Sequence, residues 1–66
     1  MKFDRTDEGF AKAYDAAKGL ANMHGKSYAV AVFAEQPDHY TLSLASLIDA
    51  HTKLATGTQV LPVNPD

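Results

Sequence analysis

From Asp7 to Met23 the apolar side chains return every three or four positions, at Phe10, Ala13, Tyr14, Ala17, Leu20 and Ala21. An α-helix turns once in 3.6 residues, so this spacing gathers them into one stripe. Glu8, Lys12, Asp15 and Asn22 fall on the opposite side, with Glu8 and Lys12 in the order that favours an i,i+4 pair. The limits of the helix are also written in the residues. Thr6 is suited to accept a first-turn amide as N-cap, and Asp7 and Glu8 set negative charge where the helix dipole favours it. Gly25 stands where a left-handed residue ends a helix, with His24 and Lys26 near the carbonyl end. Such a helix must bury its stripe against a second layer.

The residues that follow supply that layer. Ser27 to Glu35 reads as a strand with Tyr28, Val30 and Val32 on one face and Ala29, Ala31 and Phe33 on the other. Gln36-Pro37-Asp38 carries turn chemistry. His39 to Ala45 alternates again, with Tyr40, Leu42 and Leu44 on one face and Thr41 and Ser43 on the other. Two such runs form a hairpin whose Tyr28/Val30/Val32 and Tyr40/Leu42/Leu44 face meets the helix. Ser46-Leu47-Ile48-Asp49 has the spacing of a capping box and predicts a short helix to about Ala55, closed by Gly57. Thr58 to Val63 predicts a short third strand, confined to a sheet edge because Pro62 cannot donate to a ladder. Asn64-Pro65-Asp66 reads as a loose end. The expected fold is α+β: one amphipathic helix on a small antiparallel sheet, in the order α-β-β-short α-β, as one domain over residues 1–66.

Size and composition narrow the function classes. With 66 residues the chain has room for one small core, and with no cysteine it has neither disulfides nor thiolate metal sites to reinforce it. The start, Met1-Lys2-Phe3-Asp4-Arg5, is charged at once and leads into no apolar signal segment. The longest apolar run, Tyr28 to Ala34, falls far short of the roughly 20 residues a bilayer needs. The expectation is a soluble, cytoplasmic protein with no membrane partner. The net charge is −2, and Lys2, Arg5, Lys12, Lys18 and Lys26 are interspersed with Asp4, Asp7, Glu8 and Asp15. That mixture lacks the dense basic patch of phosphate binding, so nucleic acid is a weak alternative partner.

No motif carries catalysis. His24, His39 and His51 are spaced too irregularly to chelate, and Asp49 and His51 would point to different sides of a helix. Gly9, Gly19, Gly25 and Gly57 are dispersed and form no phosphate loop. Serines and threonines lack a nucleophile elbow or an oxyanion segment. The reading is a non-enzyme with no cofactor and no metal site. Gly19 is assigned to close packing of the helix on the sheet.

What remains is contact. The second face of the hairpin, formed by Ala29, Ala31 and Phe33 with Thr41 and Ser43, is less polar than an open sheet face requires. Either the segment after residue 45 covers it, or it is a partner-binding surface. The second option predicts a protein-protein interaction module, in the manner of small accessory or inhibitory proteins, some of them phage-encoded. A structural homodimer through the same face is the alternative, and the sheet edges offer a further contact.

Overall fold

The computed structural model describes residues 2–66. Its elements run β1 (Lys2–Asp4), α1 (Asp7–His24), β2 (Tyr28–Ala31), β3 (His39–Leu44), a 3-10 turn (Ala45–Leu47) and β4 (Leu61–Val63). The four strands form one antiparallel sheet in the order β1-β3-β2-β4. The fold is α+β, with one helix packed on that sheet.

Helix α1 begins and ends at the expected residues. The Thr6 side chain accepts from the Gly9 amide at 2.9 Å. At the other end Gly25 adopts φ 64°, and the amides of Gly25 and Lys26 both donate to the Ala21 carbonyl. The buried row of the helix is Gly9, Ala13, Ala17 and Ala21. A row of such small side chains lets the helix axis lie close to the sheet. Its partners are Val30 and Val63, with Phe3, Tyr28, Tyr40, Leu42 and Leu61 packed around them. Tyr28, Val30, Tyr40 and Leu42 thus face the helix as the alternation predicts, while Leu44 lies outside this cluster.

Two crossovers organise the sheet. β1 and β2 are both antiparallel to β3 and therefore parallel to each other, with α1 joining them. β3 and β4 are both antiparallel to β2 and likewise parallel, joined by residues 45–60. Both connections step toward the β4 edge, but along strands that point in opposite directions. Right-handed crossovers lie on opposite faces, so the rule predicts that 46–52 cross the face away from α1. Lys53 and Ala55 then pair at the sheet edge, and Thr58 and Gln59 border the helix side. Ala29 and Ala31 point to the face away from α1, and they are 0% and 1% exposed.

The structure departs from the sequence expectation in several places. Strand β1 is an addition to the predicted order; only three residues long, it carries no alternation that could be read. The expected helix over 46–55 is a single 3-10 turn, Ala45–Leu47. Asp49 explains why: its carboxylate accepts from the His51 amide at 2.8 Å, and its own amide donates to Thr52 Oγ1 at 3.2 Å. A short polar side chain that bonds its local backbone favours a turn over a helix. Beyond it, Ala34 donates to the Lys53 carbonyl and Ala55 to the Val32 carbonyl, so the chain runs in extended form beside residues 32–34, just past β2. Pro62 does lie on the outermost strand, opposite Ala29. Asn64–Asp66 is tied down, as Lys18 Nζ donates to the Asn64 carbonyl at 2.8 Å and Ser27 Oγ to Asn64 Oδ1 at 2.6 Å. Close packing belongs to Gly9, because a Cβ at Gly19 would meet nothing within 4 Å.

Candidate functional site

The outer face of the hairpin is not an open surface along its length. Ala29 and Ala31 are buried, while Phe33, Thr41 and Ser43 are half-buried. The hydroxyl Oγ1 of Thr41 is shielded from solvent and has no hydrogen-bond partner among the described residues. Handedness of the β3–β4 connection makes the chain itself the expected cover of the two alanines. Their side chains present almost no area to solvent. Phe33 is bridged to Leu54. Beside it lies a depression of about 540 Å³ bordered by Ala34, Glu35, His51 and Lys53, all exposed. This is a shallow surface with charges of both signs and no enclosed wall.

A better-formed groove lies on the helix side. Its floor is Val30 and Val32, 2% and 3% exposed. One wall is the edge-to-face pair of Phe10 and Tyr40, with ring centroids 5.4 Å apart. Leu61 forms the opposite wall, and Thr58 and Gln59 stand beside it. Arg5 closes the end of the groove, where its Nη1 donates to the Pro37 carbonyl at 3.1 Å. The volume is about 210 Å³, below the several hundred cubic ångströms of a small-molecule pocket. It suits a single side chain.

The sequence reading passed over this groove by assigning Phe10 and Tyr14 to the core. In the structure they are 37% and 40% exposed. The signal was present in the i,i+4 series Gly9, Ala13, Ala17 and Ala21, whose small side chains mark the line of closest approach. Phe10 and Tyr14 each sit one position after a member of that series, about 100° round the helix, and so fall on its flank. Arg5 gave no sequence signal, since only the β1–α1 corner brings it to the groove.

The three histidines stand apart in role. His24 is exposed at the end of α1, with its ring 6.2 Å from that of Tyr28; His39 opens β3; His51 is exposed in the crossover. Among the described residues no three His, Cys, Asp or Glu side chains gather as a metal site would need. Among the described residues no helix is long and apolar enough to cross a membrane. The one ion pair among the described residues joins Lys18 Nζ to Asp66 at 2.6 Å. The hydrogen bond from Lys18, then its charge, then a bond from Asn22 hold the Asp66 carboxyl below its ordinary range.

Comparison with protein-family models, with curated proteins and with solved structures finds no match for this chain.

Proposed function

We propose that this chain is a non-catalytic protein-binding module that receives one apolar side chain of a partner protein in the groove between α1 and Leu61. The observation that carries this reading is the 37% exposure of Phe10, a groove-lining aromatic on the flank of a helix whose central row is buried. Aromatic side chains with an arginine beside them are the residue types enriched where protein partners bind. Phe33 and the Glu35/Lys53 depression form a separate, more polar surface that the reading does not need.

The test is a photo-crosslinking amino acid placed at Gln59, which is exposed and lines the groove, and, as control, at Ala11, which is exposed on α1 but lies outside the groove lining. A discrete heavier adduct from position 59 and none from position 11 supports the reading. Adducts from both positions, or from neither, overturn it. An adduct of twice the 7.1 kDa chain mass would make the partner a second copy, the homodimer alternative.

A further inference from the structure

The groove carries one charge, and it is positive. The chain has eight acidic residues and a net charge of −2, yet no carboxylate is among the side chains that line this groove. Arg5 stands at its end, and its only hydrogen bond among the described residues is the one from Nη1 to the Pro37 carbonyl. A guanidinium has five N–H donors in a planar fork, so one bond to a carbonyl leaves the rest of the fork without a protein partner. Among the described residues no carboxylate pairs with it within ion-pair distance. An arginine fork is matched in shape and charge by a carboxylate.

We infer that the groove recognises an acidic peptide segment, one large apolar side chain seated between Phe10, Tyr40 and Leu61 with a neighbouring Asp or Glu carboxylate on the Arg5 fork. This rests on the reading of the groove as a protein-docking site and adds the chemistry of the docked segment. The volume of about 210 Å³ admits one such side chain, so the segment's second determinant must lie at the rim. Arg5 is the one charged group there. A rim pair of this kind acts on specificity and association more than on total affinity.

The experiment is an amide chemical-shift titration of the full chain with three blocked tripeptides, Glu-Phe-Glu, Gln-Phe-Gln and Glu-Ala-Glu. Saturable shifts at Arg5, Phe10, Tyr40 and Leu61 are expected with the first. Gln-Phe-Gln should bind about two- to fivefold more weakly, the range of an exposed ion pair, and that gap should close in Arg5→Gln and narrow with added salt. Glu-Ala-Glu should not saturate these amides. Arg5 is exposed, and an unchanged amide spectrum away from residue 5 will show that its variant is folded. Equal binding of the Glu and Gln peptides, or a gap that persists in Arg5→Gln, overturns the acidic preference and leaves the docking groove standing. If none of the peptides shifts these residues, the inference and the groove reading both fail.

Discussion

Gly9 on α1 lies directly against the backbone of Asp4 on β1. A Cβ built at Gly9 would overlap the Asp4 carbonyl oxygen and stand 2.7 Å from its carbonyl carbon. The obstacle is main chain, which no rotamer change can clear. This contact fixes how closely the first turn of α1 rests on β1, and thereby where Phe10 and the adjacent groove lie. Gly9→Ala is expected to destabilise the protein by about 1–3 kcal/mol, the range of overpacked sites, despite alanine's better helix propensity. Gly19 has open space around the same position, and there Ala should stabilise by about 0.5–1 kcal/mol. At roughly 4–8 °C of melting temperature per kcal/mol for a domain of this size, the two variants should move in opposite directions in a thermal melt. A Gly9→Ala protein as stable as wild type would refute the close contact.

The cover over the outer face has its own consequence. If residues 46–52 lie on Ala29, a larger side chain there has nowhere to go, and Ala29→Ile should cost about 1–3 kcal/mol. On an open face the same change would be neutral or favourable, because isoleucine suits a central strand better than alanine does. Chemical denaturation of the variant distinguishes the two, and a stabilised Ala29→Ile would remove the crossover from that face.

The pinned carboxyl terminus predicts a pH dependence. The Asp66 carboxyl is held below its ordinary range chiefly by the Lys18 hydrogen bond. A group whose folded pKa is depressed adds stability above its unfolded pKa and loses it as pH falls through the folded value. The advantage of the native chain over Lys18→Gln should therefore be largest at neutral pH and shrink in acid to what the Lys18 bond to the Asn64 carbonyl contributes. It should also shrink with salt, since the pair is exposed. A carbon-detected titration should show the Asp66 carboxyl rising toward the ordinary range in Lys18→Gln. A stability difference that stays constant down to the acid limit would mean the pair is not its source.

How far the sequence reaches can be judged element by element. Helix α1 was legible from Thr6 to Gly25 because its signals are local: an apolar period, a cap hydroxyl and a glycine free to adopt φ 64°. The helix-facing side of the hairpin was legible through Tyr28, Val30, Tyr40 and Leu42 for the same reason. Between 46 and 55 the local signals conflicted. The Ser46–Asp49 spacing favoured a helix, but Asp49 bonds its own turn with Thr52 and the chain beyond pairs with residues 32–34. Extended pairing of that kind is decided by the partner strand and is invisible in the segment itself.

The groove belongs wholly to tertiary structure. Phe10 and Tyr14 could be placed on a helix from the sequence, but whether an aromatic residue beside an alanine row is buried depends on how near the sheet comes. That distance is set by Gly9 against Asp4 and by Ala13 and Ala17 on Val30 and Val63. Likewise Ala29 and Ala31 read as a bare face from the sequence, yet they are buried in the fold. The sequence alone determined the helix, the hairpin and the face that joins them, because those follow from local periodicity and turn chemistry. Only the tertiary structure decided which apolar side chains stay exposed, because exposure is a property of what packs alongside, and the residues that pack here come from distant parts of the chain.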